Sequence, residues 1–371
     1  MIESKPHYEL LDGLRGVAAI MVVWFHIFEA FATSPTDQMV NHGYLAVDFF
    51  FALSGFVMGY AYDDRLKEGQ LTVGSFFKRR LIRLHPLVVV GCIIGAITFC
   101  IQGQVKWDGT SVGILAVLLS MLAGCFLIPS LPSSVTEVRG NGEMFPLNGP
   151  SWSLFFEYLA NVFYVLILRR LSNRNLCVVV ATSGTLLTLF AVFNFSGFYH
   201  LGVGWTLADW GLPGGFLRVL FSFSAGLLMF RLAKPGKIRG AFFISSILIV
   251  LLLLVPHLEN ANFPWLNGIY DSFCVLAAFP LIIFVGISGK KSKSKHVRTM
   301  VRLLGKISYP LYAIHYPFMY LFYAWVWNNK LSFSEVWSFA LLLFIVCLAL
   351  SYAVLKFYDE PLRRFLKRKF M

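Results

Sequence analysis

A chain of 371 residues that is 57% hydrophobic and only 14% charged has too little polar surface for a water-soluble domain, where about a quarter of residues carry charge. Its net charge of +13 does not point to nucleic acid, because no basic surface interleaved with aromatics is visible and membrane proteins gather Lys and Arg in cytoplasmic loops. The composition excludes a soluble enzyme and predicts an all-α, polytopic transmembrane helical bundle solvated by a lipid bilayer.

The N-terminus has no short apolar core followed by a small-residue cleavage site, so the first apolar run reads as a retained span. Eleven apolar runs fall near 14–33, 43–62, 86–102, 112–128, 150–168, 176–195, 213–230, 240–256, 269–287, 303–326 and 335–356. Loops 63–85, 169–175, 231–239 and 289–302 and the tail after 356 are rich in Lys and Arg and read as cytoplasmic. Loops 34–42 and 257–268 contain neither residue and read as external. Three runs then lie between two cytoplasmic loops, where only an even number of crossings fits. Run 112–128 is short, interrupted by Gly113 and Gly124 and followed by Pro129 and Pro132, so it reads as re-entrant or buried. That leaves about ten crossings with both termini cytoplasmic; the alternative is eleven crossings with one loop breaking the charge rule. Residues 1–371 read as a single membrane domain. The six cysteines form no CxxC or metal cluster and read as small packing residues.

The first span carries Asp12, Arg15, His26 and Glu29. Arg15 and His26 are about three helical turns apart and share a face, with Asp12 three before one and Glu29 three after the other. The rise between them is about 16 Å, which sets Arg15 near one surface and His26 deep in the apolar slab. An ionisable group at that depth is a functional candidate facing a cavity, or else a histidine bonded to a neighbouring helix. In the second span, Asp48 caps the helix, bonds a polar neighbour or serves the site, and Ser54 and Gly55 permit close approach by another helix. Next comes Lys78-Arg79-Arg80-Leu81-Ile82-Arg83-Leu84-His85-Pro86, in which Arg79 and Arg83 stack on one face. Two guanidinium forks at that spacing suit phosphate groups, although basic residues at a membrane boundary also serve as plain anchors.

In 148–161, Pro150 suits a helix start and Ser151 or Ser153 a cap. Ser153, Glu157, Asn161 and Tyr164 form a second polar stripe. A buried Glu157 needs a partner, and pairing it with His26 would orient the imidazole for acid–base work. In 304–317, Tyr309, Tyr312 and Tyr316 share a face with His315 beside it, as a site or as an aromatic packing face. Pro310 and Pro317 are expected to kink this span and free carbonyls toward a cavity.

Taken in order, these stretches resemble the membrane-bound acyltransferase-3 family, bacterial integral-membrane O-acyltransferases acting on sugars and related hydroxyl compounds. The resemblance runs through Asp12-Gly13-Leu14-Arg15-Gly16 to His26, Asp48-Phe49-Phe50-Phe51-Ala52-Leu53-Ser54-Gly55-Phe56, Arg79 and Arg83 before Pro86, Ser151-Trp152-Ser153-Leu154 with Glu157, Ser308-Tyr309-Pro310-Leu311-Tyr312 with His315, and Glu360-Pro361. It covers about residues 8–364, and His85 departs from it where an aromatic or aliphatic residue is commoner.

The resemblance implies an acyl-CoA donor, most often acetyl-CoA, used as a cosubstrate with no permanently bound cofactor and no metal. It implies a carbohydrate acceptor, such as a lipopolysaccharide or exopolysaccharide, and a place in the bacterial cytoplasmic (inner) membrane. It makes His26 the general base, oriented by Glu157 or Glu29, with Arg15 and Asp12 completing the catalytic group. Arg79, Arg80 and Arg83 would dock the CoA phosphates, and Asp48, Ser151, Trp152, Ser153, Tyr309 and His315 would contact substrate. Some relatives carry a fused soluble domain that completes transfer, so this chain is expected to act alone or with a separate partner protein. The competing readings are a proton-coupled transporter or flippase, which uses the same intramembrane residue types, and an acyltransferase with a cytoplasmic small-molecule acceptor such as a macrolide.

Overall fold

Lipid offers no hydrogen bonds, so a spanning chain must satisfy its own backbone, and helices do this within one segment. The computed structural model describes residues 8–371 and contains, among the described residues, no strand beyond isolated bridges between loops. Helix α1 (Glu9–Glu29) is followed by a single 3-10 turn that feeds directly into α2 (Ala46–Lys67). The Thr72 side chain caps α3 (Val73–Ile101), which is followed by α4 (Ile114–Cys125) and α5 (Ser151–Leu166). Ser172 caps α6 (Asn173–Val192), and α7 (Gly211–Leu232) and α8 (Ala241–Leu254) come next. A π turn joins α9 (Leu266–Phe273) to α10 (Phe279–Ile287). Helices α11 (Lys295–Ile314) and α12 (Tyr316–Asn329) meet end to end. The chain closes with α13 (Phe333–Val354), a second π turn and the basic α14 (Glu360–Phe370).

Among the described residues, eight helical stretches are long and apolar enough to cross a membrane, so the protein is a multi-pass membrane protein. They correspond to eight of the eleven apolar runs, and the other three differ for physical reasons. Helix α8 spans only 14 residues. Helix α4 spans 12 and packs Gly124 against Cys92, about two-thirds of the way along α3. The chain then turns back, and Arg139 reaches Gln102 and Phe99 at the far end of α3. This segment dips and returns, which removes the parity conflict in the loop charges. The third run, 303–326, is broken at His315. Pro317 has no N–H to give the Ala313 carbonyl, and Asn148 Nδ2 donates to it instead at 2.9 Å. The expected kink at Pro310 does not appear as a break, because α11 continues through it.

The basic loops meet at one end of the bundle. Arg231 bonds Asp63 at 3.0 Å and the Leu171 carbonyl at 2.8 Å, and the Ile238 N–H bonds the Ser288 carbonyl. The loops without Lys or Arg meet at the other end, where His42 Nδ1 lies 2.7 Å from the Val255 carbonyl. Helices α2 and α7 cross so closely that a Cβ on Gly55 would strike the Phe223 carbonyl and one on Gly226 the Ala52 carbonyl.

Candidate active site

The polar stripe of α1 runs from the basic end to the opposite end. Near its start, Arg15 Nη1 lies 3.6 Å from Asp12 Oδ1. In its last turn, the i, i+3 spacing sets His26 Nδ1 2.7 Å from Glu29 Oε2. Tyr323 on α12 closes this group, its hydroxyl 2.8 Å from Glu29 Oε2 and 2.7 Å from the His26 carbonyl. A carboxylate only accepts hydrogen bonds, so the proton of a neutral His26 sits on Nδ1 and Nε2 keeps its lone pair. Tyr316 stands edge-on to the imidazole with ring centres 4.5 Å apart, and the His315 ring is 5.4 Å away. His315 is fully buried; its Nδ1 is engaged by the Leu311 and Tyr312 carbonyls and its Nε2 has no partner.

His26 and Glu29 line a cavity of about 710 Å³. Its rim is formed by 32–43, 141–150 and 195–211, at the end away from the basic loops. Five tryptophans contribute to its wall: Trp107, Trp152, Trp205, Trp210 and Trp327. Glu143 also faces it, with the hydroxyl of Tyr320 and the Nδ2 of Asn141 donating to its carboxylate. Burial pushes the Glu143 carboxyl up to about 7, against the opposing pull of Tyr320 and Arg139. Burial likewise pushes His200, on the 195–211 rim, down to about 3, so this wall histidine is neutral.

The other residues expected at the site divide into groups. Glu157 does not meet His26. Its Oε1 lies 2.6 Å from Arg80 Nη2 and accepts from Ser54 Oγ at 3.0 Å, because it sits one turn beyond Ser153 on α5, toward the basic end. The carboxylate that orients His26 is Glu29. Asp12, Arg15 and Arg80 each lie within electrostatic reach of Arg83, which is exposed. Arg79 is half-buried, with its Nε unpartnered.

Asp48 does not face the cavity. It is fully buried and accepts from Arg218 Nη2 at 2.7 Å and Nε at 3.1 Å, so it serves to hold that arginine. Arg218 also donates to the Val203 and Tyr44 carbonyls at 2.6 and 2.8 Å, tying the rim to the bundle. Trp152 lies on the cavity wall, with the Arg218 guanidinium 5.2 Å from its ring centre. Its neighbours Ser151 and Ser153 are buried behind the wall, Ser153 Oγ being 2.6 Å from the Tyr312 hydroxyl. Tyr309 points away from the cavity and donates to the Leu84 carbonyl at 2.6 Å.

Arg218, Glu143, Tyr320 and Tyr323 were not expected. Tyr316, Tyr320 and Tyr323 recur at spacings of four and three, a helical stripe that was there to be read. Arg218 is a lone cation inside the apolar run 213–230, itself a signal. Glu143 sits in a loop with no periodic mark.

A pair of imidazole and carboxylate at the wall of a large cavity, in a polytopic bundle, is an arrangement suited to moving a proton on a bound hydroxyl. The chain matches the acyltransferase-3 family model, described as an acyltransferase domain, over residues 8–356. It belongs to that family, and it is an O-acyltransferase. It is 36% identical to Protein 2 in the picA locus of Rhizobium radiobacter over 200 residues, 52% of this chain and 98% of that protein. It is 27% identical to acyltransferase MdmB of Streptomyces mycarofaciens over 354 residues, 89% of this chain and 83% of that one. A Staphylococcus aureus protein named as an O-acetyltransferase is 24% identical over 382 aligned positions, 95% of this chain and 57% of its own length. No solved structure matches the chain.

Proposed function

We propose that the protein transfers an acetyl group from acetyl-CoA to a hydroxyl of a carbohydrate, with His26 as general base. The observation that carries this reading is the bond between His26 Nδ1 and Glu29 at the cavity wall, which leaves Nε2 able to accept a proton. The acceptor hydroxyl gives its proton to Nε2 as its oxygen attacks the thioester carbonyl. The tetrahedral adduct collapses with cleavage of the C–S bond, and His26 returns the proton to the departing CoA sulfur. Glu29 stabilises the imidazolium that exists between these steps. The tryptophans of the wall favour a sugar, whose C–H faces stack on flat rings while polar groups take its hydroxyls.

The donor approaches from the basic end. Arg15, Arg79 and Arg83 take its phosphates, and Arg80, held by Glu157, borders the same group. About 16 Å along α1 separates Arg15 from His26, a span that a thin pantetheine arm covers. The positive-inside rule assigns the basic end and both termini to the cytoplasm of a bacterium, where CoA is made. The acceptor then reaches His26 from the far side of the inner membrane, as an exported or surface glycan does. The position of the cavity at that end favours this acceptor over a cytoplasmic small molecule.

Purified protein in detergent, with no ion gradient, is given acetyl-CoA and a panel of glycosides. The expected result is acceptor-dependent release of CoA that disappears in His26→Ala while the folded yield is kept. A carrier releases no CoA, and release that survives His26→Ala removes His26 as the base. Release without added protein also makes a separate partner unnecessary.

A further inference from the structure

The charge on the cavity wall is lopsided. Three carboxylates, Glu29, Glu143 and Asp209, line it, and the only Lys or Arg among the described lining residues is Arg218. Arg218 is fully engaged by Asp48 and two carbonyls, so its charge is already answered. Glu143 has no Lys or Arg within ion-pair distance among the described residues, only the Tyr320 hydroxyl and Asn141. The cation that acts on it from a distance is Arg139, whose pull only partly offsets the burial of the carboxyl. Its guanidinium lies 3.6 Å over the Tyr320 ring, on the side of that ring away from any ligand, and 5.1 Å from the Trp107 ring; its Nε and Nη1 donate to the Pro146 carbonyl and Gln102, and its Nη2 makes no hydrogen bond.

The wall between Glu29 and Glu143 is aromatic and continuous. Tyr323 donates to Glu29 and Tyr320 to Glu143, with the Tyr316 ring 6.2 Å from the first and 4.6 Å from the second. Trp327 stacks on Tyr323 at 5.3 Å and meets Trp107 at 5.0 Å. A phenol that donates to a carboxylate has a more electron-rich ring, and such rings attract cations through their faces. Glu29 and Glu143, joined by rings of this kind, favour an ammonium, whose charge stabilises the ionised form of the buried Glu143, and disfavour an acid.

We propose that this wall is an ammonium subsite, and that the acceptor carries a protonated amine, as an amino sugar does, within one sugar ring of the hydroxyl that is acylated. The inference rests on the acyltransferase reading with His26 as base, since Tyr316, at the centre of the wall, touches that imidazole. It also explains why transfer goes to oxygen: an amine kept protonated by carboxylates has no lone pair with which to attack the thioester.

The test measures binding without any donor, so its outcome is separate from that of the CoA-release assay. Methyl glucosaminide, methyl glucoside and methyl glucuronide are titrated into the purified protein and followed by quenching of tryptophan fluorescence. The glucosaminide is expected to bind about tenfold tighter than the glucoside and the glucuronide more weakly than either. Glu143→Gln is expected to bring the amine-to-neutral ratio close to one. Should that variant fail to fold, the wild type decides the matter: raising the salt concentration should weaken the glucosaminide and leave the glucoside unaffected. Equal binding of all three glycosides, a salt-insensitive amine, or an alkali-stable amide in place of an ester as the transfer product would each overturn the proposal.

Discussion

Replacing Glu29 by glutamine removes the charge behind His26 while keeping its shape. The bond at stake is 2.7 Å long, from His26 Nδ1 to Glu29 Oε2, and a glutamine oxygen can still accept it. The tautomer therefore persists, and only the stabilisation of the imidazolium is lost. Hydrogen bonds to charged groups contribute about 1.5–3 kcal/mol against about 1 kcal/mol for neutral ones, so the transition state loses ~1–2 kcal/mol. That corresponds to a fall in kcat of roughly 5–30-fold. The assay is initial-rate CoA release by purified protein, with kcat and the acetyl-CoA KM determined separately. Glu29→Gln is expected to lower kcat within that range and to move the donor KM by less than about twofold. Glu157→Gln is expected to act on the donor KM, through Arg80, which lies 2.6 Å from it. If Glu29→Gln keeps wild-type kcat and Glu157→Gln loses it, the assignment of these carboxylates is reversed and the reasoning fails.

Asp48→Ala strands the buried Arg218 charge and should cost about 3–5 kcal/mol, seen as loss of folded protein or a large drop in thermal midpoint; a variant with unchanged stability would contradict a structural role. Arg83→Ala should raise the acetyl-CoA KM about tenfold, the worth of one charge-assisted contact of about 1.5 kcal/mol, with kcat nearly unchanged; Arg79→Ala should do the same, and an unmoved KM in both would remove the docking role. Glu143 holds its proton up to about 7 in the folded chain but only to about 4.5 when unfolded. The folded state then binds more protons between these values, so wild-type stability falls as pH rises through that window, by at most about 3 kcal/mol. Glu143→Gln should match the wild type below pH 4.5 and melt higher than it at pH 8, and a midpoint difference that does not change with pH would refute this.

How much of this was legible in the sequence differs from residue to residue. Periodicity located His26, Glu29 and Arg15 on one face because a helix makes that face unavoidable. The loop charges sorted the basic loops to one end, and bonds between them, such as Arg231 to Asp63, reflect that. Partnership between distant helices was not legible. Glu157 and Glu29 are both single carboxylates in apolar helices, and spacing along each chain segment says nothing of depth relative to the other. Asp48 read equally well as a site residue or as a helix cap or partner of a polar neighbour, since the deciding residue, Arg218, lies 170 positions away. Glu143 was beyond reach because loop residues carry no period, and only the return of 126–150 to the end of α3 brings it to the wall.

That return also connects the fold to the site. A straight span over 303–326 would carry Tyr316, Tyr320 and Tyr323 onward on the face already set by α11. Pro317 breaks it, and the break is tolerated because the returning loop delivers Asn148 to the freed Ala313 carbonyl. The same stretch supplies Glu143 to the hydroxyl of Tyr320 and begins α5, whose Ser153 bonds Tyr312. The re-entrant segment, the proline break and the aromatic wall are thus one device: each leaves a backbone or side-chain group unsatisfied that another supplies. The outcome is that α12 presents Tyr316 and Tyr323 to His26 and Glu29 at the depth where α1 ends. A polar helix break of this kind is tolerated in a bilayer only where it is buried in protein or lines a cavity, and here His315 is fully buried and Tyr316 borders the cavity.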